Sequence, residues 1–329
     1  MSGTSSTAAP RIWSALLIAS AVVVVGAVPV SLTWWGFGAA AAQGVYVGLV
    51  VAVTLARTLP VRMQALSVVW LAVVSAAGAL IGRQIVPLLI AVIFCCAVQV
   101  VFTRAGTGAV AVAPAIMVFW ALFAPEGSAL AVLISTLIGG AVLLLIVVAA
   151  RMRPDPHPLS WSRAGPHVML LAIGCAILLL LGPALGIERA NWGLLVFGLV
   201  FLPATDSARS AVRFLAATAI GALAAVTIAT IGPQWLVLTA IVVGAVCTVV
   251  ATLRSQQAFS VASIAAMVVL LGALGPEASA ATIGAERLVS ALIAVVIAIA
   301  LLALGRWAET RLSGILPAGR PTGEASWTP

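Results

Sequence analysis

Charged residues near the ends of apolar segments are the first candidates for chemistry in this sequence. Asp206, Arg209 and Arg213 follow one another at intervals of three and four residues, so the two arginines share a face if the segment is helical. Guanidinium groups bind carboxylates through a planar fork of hydrogen bonds. Arg57 and Arg62 stand at the corresponding place earlier in the chain. These arginines predict either a vestibule that collects anions or ordinary cationic anchors at the ends of membrane spans.

A second candidate is the adjacent pair Glu286 and Arg287, which lies in the last long apolar segment. A charge at the centre of a spanning helix costs about 2.5–3.5 kcal/mol on insertion scales, so each group needs a partner or a function. Neighbours at i and i+1 diverge on a helix and do not simply neutralise each other. The pair therefore predicts either structural ion pairs between helices or a gating and proton-coupling role, with Glu286 as the protonatable group.

Uncharged polar residues form the third candidate set. Ser260 and Ser263 are spaced to share a helix face, and they indicate either a wet lumen or hydrogen bonds between helices. Together with the charged residues they define a candidate substrate pathway, whose members are Arg57, Arg62, Arg209, Arg213, Asp206, Gln256 and Ser260.

The composition defines the elements that must position these residues. Of the 329 residues, 64% are hydrophobic and 7% are charged, whereas soluble domains carry roughly a quarter charged residues. The chain is therefore expected to be an all-α integral membrane protein. Apolar runs between charges predict twelve transmembrane helices, over 12–32, 35–56, 64–82, 85–103, 107–124, 129–150, 166–186, 190–204, 210–231, 234–252, 256–274 and 281–304.

Several functional classes conflict with the charged residues. All 16 basic residues are arginine, so the chain has no lysine for a nucleotide-binding loop or a Schiff base. Its two histidines and four cysteines form no metal-ligand motif, and we expect no metal and no cofactor. The arginines lie at span ends rather than on one basic face, which argues against a nucleic acid partner. The acids expected outside the membrane are scattered singly, so we do not expect an enzyme.

The arginines also predict the orientation. With the N-terminus inside, thirteen of the sixteen fall on the cytoplasmic side, as the positive-inside rule requires. Both termini are then cytoplasmic, with tails at 1–11 and 305–329. The Ala-, Val- and Arg-rich composition suggests a bacterial plasma membrane. Whether the chain forms a homo-oligomer stays open.

Two six-helix halves are predicted from short segments that recur within the sequence. Segment 124–129 (APEGSA) recurs as 275–280 (GPEASA), in each case before the last span of a half. Trp35-Gly36 and Trp192-Gly193 are expected to open the second span of each half. The Pro-rich segment 151–165 is predicted to be a cytoplasmic linker between repeats 12–150 and 166–304. The two repeats share an orientation because each has an even number of spans.

Close helix packing is predicted where glycines are four residues apart, at Gly44/Gly48, Gly78/Gly82 and Gly182/Gly186.

The second half carries a recognisable order of motifs. A tryptophan opens a span, a proline closes it, a basic loop follows, and a small-Thr-x-x-Gly step and a late Arg-Leu-x-x-small step come after. The residues are Trp192, Pro203, Arg209, Arg213, Ala217-Thr218-Ala219-Ile220-Gly221 and Arg287-Leu288-Val289-Ser290-Ala291. Through them the segment from Trp192 to Ala303 resembles the fusaric-acid-resistance-like (FUSC) family of aromatic acid exporters. Ala217 departs from the glycine usual there, and the large soluble domain of many members is replaced by the short linker.

This resemblance implies export of aromatic or other organic carboxylates. Our first hypothesis is a proton-driven secondary exporter in which the inner arginines collect the anion and Glu286 carries the proton. The alternatives are a passive anion channel and a non-transporting scaffold of a cell-envelope assembly. The expected partners are a small organic anion, protons and the lipid bilayer.

Overall fold

Twelve α-helices make up nearly all of the described chain. The computed structural model describes residues 12–55, 59–106, 109–149, 158–186, 190–201, 207–254, 256–273 and 279–315, and these contain no strand. In chain order the helices are α1 (Ile12–Phe37), α2 (Ala39–Leu55), α3 (Val61–Ile81), α4 (Ile85–Ala105), α5 (Ala113–Phe123), α6 (Ala129–Ala149), α7 (Trp161–Ala184), α8 (Ala190–Val200), α9 (Ser207–Ile231), α10 (Gln234–Leu253), α11 (Gln257–Ala273) and α12 (Ala280–Ile315). A 3-10 turn, Ala109–Val112, precedes α5.

Eight of the described helices are long and apolar enough to cross a membrane. The other four are shorter: α5 and α8 have 11 residues each, and α2 and α11 have 17 each. At 1.5 Å per residue, an 11-residue helix covers roughly half of a 30 Å hydrocarbon core. The twelve predicted spans therefore correspond to twelve helices, of which eight meet the length and composition of a complete span.

Several helix boundaries differ from the predicted ones, and two of the differences depend on where a helix-breaking residue is present or absent. α1 continues through Trp34 and Trp35 to Phe37, and Gly38 ends it with φ +84°, a conformation that favours glycine. The prediction that Trp35 and Gly36 open the second span was wrong, since they lie in the last turn of the first helix. α12 runs to Ile315 rather than 304, because no proline interrupts residues 305–315.

α7 begins five residues earlier than predicted, at Trp161 rather than 166, so the linker is shorter than the predicted 151–165. α7 begins at Trp161, inside segment 151–165, and residues 151–157 lie outside the described part. Just before α7, the Leu159 backbone N–H donates to the Thr103 carbonyl at 3.2 Å. The guanidinium of Arg104 lies 4.0 Å from the centre of the Trp161 ring. The start of α7 is thereby attached to the end of α4.

The short helices α5 and α8 occupy the centre of the molecule and pack against each other. In α5 all but three residues are buried, including Trp120, and in α8 Phe197 is fully buried. A Cβ on Gly198 would stand 2.6 Å from the Ala111 carbonyl oxygen, so α8 approaches the 3-10 turn backbone to backbone. The largest core cluster joins these central helices to α3, α4, α7, α9 and α12.

Helix pairing within the first six helices recurs within the last six. α2 packs on α6, and α8 packs on α12. α3 contacts α5 and α6, and α9 contacts α11 and α12. The contact of α4 with α7 likewise has a counterpart in the contact of α10 with α1. The large hydrophobic side chains on the outer faces are exposed, as expected of helices that face lipid.

Candidate functional site

Arg287 is the buried charge of the described chain. It lies two turns into α12, and 2% of its surface is exposed. Ile283, Ala291 and Ala294, at i−4, i+4 and i+7, are also buried, so Arg287 belongs to the helix face that packs inward. Glu286, one residue away, is only half-buried.

The packing around α12 explains why this face is buried. α12 lies against both α8 and α9. Gly193 of α8 faces Ser290, and Gly284 comes close to Val226 of α9. Small residues at these contacts let the helix axes approach, and so a long side chain between them is enclosed rather than extended to solvent.

The guanidinium of Arg287 has spare donors. Its Cζ lies 5.4 Å from the centre of the Trp192 ring, within the range of a cation–π interaction. Within the described residues, Nε and Nη1 have no hydrogen-bond partner. An arginine carries five N–H donors and no acceptor. A buried guanidinium with such donors favours an acceptor, and a negatively charged one above all.

Other buried polar atoms lie on the same helices. Asn191 precedes Trp192 on α8, and its Oδ1 has no hydrogen-bond partner in the described chain. The same holds for Ser290 Oγ on α12 and Thr218 Oγ1 on α9. Buried polar atoms are normally satisfied by protein or water. Each of these atoms is a point where water or a ligand can complete the bonding, and among the described residues Ser75 Oγ on α3 and Thr136 Oγ1 on α6 are unpaired in the same way.

A small cleft lies between α7, α8 and α12, and of this group only Ser290 lines it. Its volume is about 10 Å³, which is room for about one water molecule, and we call it the α7–α8–α12 cleft. Its walls are apolar apart from the hydroxyl of Ser290. The lining residues include Leu178, Leu181, Leu185, Gly193, Ser290 and Ile293.

The predicted inner arginines have a different environment. Arg62 is exposed in the first turn of α3, and Arg209 and Arg213 are exposed near the start of α9. Arg209 and Arg213 are one turn apart on one helix, whereas α3 and α9 have different packing partners. Arg57 and Asp206 lie outside the described residues. The predicted ring of four arginines stays a prediction.

Gln256 and Ser260 lie at the beginning of α11. Gln256 is exposed and Ser260 is half-buried, and the Ser260 backbone N–H donates to the Gln256 carbonyl at 3.1 Å. α11 packs on α9, where a Cβ on Gly221 would overlap the Ala262 carbonyl oxygen. The described second-half residues of the candidate pathway therefore lie on, or directly before, two helices in contact, α9 and α11, and Arg287 lies on α12, which contacts both.

Sequence reasoning missed part of this arrangement. Trp192 was expected only to open a span, but it is 9% exposed and packs inside the protein, whereas Trp34, Trp35, Trp235 and Trp307 are all more than half exposed. Asn191 carried no separate signal, because short polar residues are common in helices that pack through hydrogen bonds. Thr218 and Ser290 were recognised only as members of the motifs that resemble the family.

The buried cysteines do not contribute to this site. Cys95 and Cys96 on α4 and Cys175 on α7 are all buried in the main core, where free cysteines pack as small hydrophobic residues. No group of three or more histidine, cysteine or acidic residues in the described chain is arranged to hold a metal ion.

Comparison with known families supports the resemblance found in the sequence. The family model described as fusaric acid resistance protein-like matches residues 174–301. This region begins in α7 and extends well into α12, and it contains Trp192, Thr218 and Arg287. No curated protein and no solved structure matches the chain. The predicted similarity to the FUSC family is thus confirmed over the second half, and together with the apolar helices it is consistent with a multi-pass membrane transport protein.

Proposed function

We propose that this protein is a secondary exporter of organic anions, in particular aromatic carboxylates, driven by the proton gradient. The observation that carries the proposal is the buried guanidinium of Arg287, which has donors to spare inside the region that matches the family model. A positive charge held away from water raises the local affinity for anions, because Coulomb attraction is stronger where the dielectric constant is low.

The exposed arginines have a separate role in this proposal. Arg62, Arg209 and Arg213 are expected at the cytoplasmic end of their helices, where they attract anions from solution. Such attraction raises the local substrate concentration without fixing the substrate in one position. Arg287 then acts deeper in the protein.

Glu286 is the proposed proton carrier. It is half-buried and adjacent to the buried arginine, so its protonation changes the electrostatic potential at the anion site. A proton entering from the outside neutralises the carboxylate, and its loss to the cytoplasm restores the charge. Coupling then requires that the two charge states favour different conformations of the helix group.

The proposed architecture follows from the helix pairing. We propose that all twelve helices belong to the membrane region and form two six-helix repeats related by an axis along the membrane normal. The recurrence of α2–α6 as α8–α12 supports this arrangement. Both termini are cytoplasmic in the plasma membrane in this proposal, and the protein is a transporter rather than an enzyme, with no cofactor.

The test is uptake of labelled 4-hydroxybenzoate into proteoliposomes, with and without an imposed pH gradient. Protein-free liposomes give the passive leak to be subtracted. Uptake above the leak that requires the gradient supports proton-driven export. Equilibration without a gradient identifies a passive channel, and no flux with several anions identifies a scaffold.

Glu286→Gln tests the proton carrier directly. We expect it to abolish gradient-driven accumulation while leaving downhill exchange measurable. The matched control is Glu126→Gln, which removes an exposed acid between α5 and α6 and should behave like the wild type. Unchanged gradient-driven accumulation in Glu286→Gln would remove Glu286 from the mechanism.

A further inference from the structure

α2 and α8 are equivalent helices in the proposed repeats, and they can be aligned through the helices on which they pack. Segment 124–129 recurs as 275–280, so Gly139 on α6 corresponds to Ser290 on α12. A Cβ on Gly139 would meet the backbone of Val45 on α2, and Ser290 lies against Gly193 of α8. Val45 and Gly193 are therefore equivalent residues of α2 and α8.

One face of α2 is exposed where the equivalent face of α8 is buried. In this alignment Tyr46 corresponds to Leu194, and Gln43 corresponds to Asn191. Leu194 is 1% exposed and Asn191 is 6% exposed, whereas Tyr46 is 36% exposed and Gln43 is exposed as well. The exposed side chains of Gln43 and Tyr46 lie one turn apart on the helix, and we call them the α2 face.

The contacts between the two halves explain this difference. α8 packs on α5 and on the 3-10 turn before it, where Gly198 approaches the Ala111 carbonyl oxygen. The equivalent partners of α2 would be α11 and the residues before it, but α2 and α11 make no comparable contact in the described chain. The halves are therefore packed together at α5 and α8 and are not packed together at α2 and α11.

The α2 face is polar where lipid would disfavour it. Tyr46 is the only tyrosine of the sequence and lies near the middle of α2. A hydroxyl or amide exposed to lipid has no hydrogen-bond partner there, which is costly, whereas water satisfies both groups. Gln256 directly precedes α11, as the 3-10 turn precedes α5, and it is also exposed.

We infer that the α2 face lines the route by which anions cross the membrane, and that Gln256 lines the same route from the second half. The hydroxyl of Tyr46 and the amide of Gln43 can donate hydrogen bonds to a passing anion. They carry no charge that would retain it, and conduction requires binding weak enough for release. α11 also contacts α12, which carries Arg287. This inference rests on the proposed function, since it locates the route of that transport.

Thiol labelling of the full-length protein in lipid nanodiscs tests whether the α2 face is open to water. Tyr46→Cys and Gln43→Cys are made in a Cys247→Ala background, because the other three cysteines are buried. The reagent is 2-sulfonatoethyl methanethiosulfonate, which is negatively charged and does not enter lipid. We expect both variants to be labelled at least about tenfold faster than Ile220→Cys, because lipid disfavours the reactive thiolate. Ile220 on α9 is a strict control, since it is 66% exposed and apolar.

Uptake of labelled 4-hydroxybenzoate, measured before and after this treatment, tests whether anions use the α2 face. We expect labelling of Tyr46→Cys to reduce uptake at least about tenfold, because the adduct narrows the route and places a like charge in it. The same treatment of Ile220→Cys should leave uptake unchanged. If Tyr46→Cys does not fold, Gln43→Cys serves for both measurements.

The outcomes separate this inference from the proposed function. Labelling of Tyr46→Cys and Gln43→Cys no faster than that of Ile220→Cys overturns the inference, since lipid or a second copy of the chain then covers the α2 face. Rapid labelling that leaves uptake unchanged also overturns it. Wild-type flux together with either result leaves the proposed function standing and moves the route elsewhere. A wild type without flux rejects the proposed function and the route with it, and rapid labelling then shows only that the α2 face is open to water.

Discussion

The second and sixth helices of each group of six cross one another, and the two crossings are built differently. Where α2 crosses α6, backbone meets backbone: a Cβ on Gly48 would overlap the Thr136 carbonyl oxygen, and one on Gly139 would overlap that of Val45. Where α8 crosses α12, a Cβ on Gly193 would make only an ordinary contact. Trp192 and Arg287 face each other at this second crossing.

The same pairing of helices gives a close backbone contact in the first half and encloses a buried arginine in the second. Glycine contacts bring two backbones together and leave no room for a ligand, since such interfaces pack as densely as protein cores. Trp192 and Arg287 stand at the second crossing, and the small α7–α8–α12 cleft adjoins it. In this protein the second crossing holds the buried charge, whereas the first is closed by backbone contacts.

The largest effect is expected when a charge is placed at the contact between α2 and α6. Thr136 on α6 is 1% exposed, and Thr136→Arg puts a guanidinium into a crossing that is packed backbone against backbone. We expect a loss of more than about 2.5 kcal/mol of stability, seen as loss of the monodisperse peak in size-exclusion chromatography. Thr136→Val, which is nearly isosteric, should remain folded. A stable Thr136→Arg protein would mean that the first crossing also tolerates a buried charge.

A smaller effect is expected from adding one methyl group at each crossing. Gly139→Ala forces backbone atoms of α2 and α6 apart and should cost about 1–3 kcal/mol. Gly193→Ala meets no such obstacle and should be neutral or stabilising by up to about 1 kcal/mol, because alanine favours helix. Thermal unfolding of both variants in the same detergent measures the difference. Equal melting temperatures would contradict the proposed difference in packing.

The contribution of the contact between Trp192 and Arg287 to stability can also be measured. Trp192→Leu keeps an apolar side chain and removes the ring, and should reduce stability by about 0.5–2 kcal/mol through the lost cation–π interaction. Trp192→Phe should lose less. Trp235→Leu is the control, because Trp235 is 67% exposed and surface changes usually stay within about 0.5 kcal/mol. The readout is again the thermal unfolding midpoint.

The smallest effect is expected at the exposed arginines. The double change Arg209→Gln and Arg213→Gln should slow anion uptake about two- to fivefold at low salt, and the difference should vanish near 1 M salt, where the screening length is about 3 Å. Arg83→Gln, which changes an exposed arginine between α3 and α4, is the control. A defect that persists in high salt would place Arg209 and Arg213 in a binding site rather than in a collecting surface.

The glycine pairs illustrate how far sequence prediction reached. Gly44 and Gly48 pack against α6 as predicted. Gly78 also packs closely, against Met117, but Gly82 ends α3 with φ +61° and has open space around it. The same four-residue spacing thus marks a contact in one place and a helix end in another. Spacing places two residues on one face, and only the neighbouring helix decides whether that face is covered.

The sequence by itself determined the composition of the protein and the order of its helices. Apolar runs and breakers such as Gly38 and Pro60 depend only on local chemistry, so twelve helices, an all-α membrane class and the family resemblance were all accessible from it. The tertiary structure alone decided which arginine is buried. Arg209 and Arg287 are the same residue type near apolar segments, yet one is exposed and the other is enclosed, because burial depends on the helices that pack around a side chain and these come from distant parts of the chain.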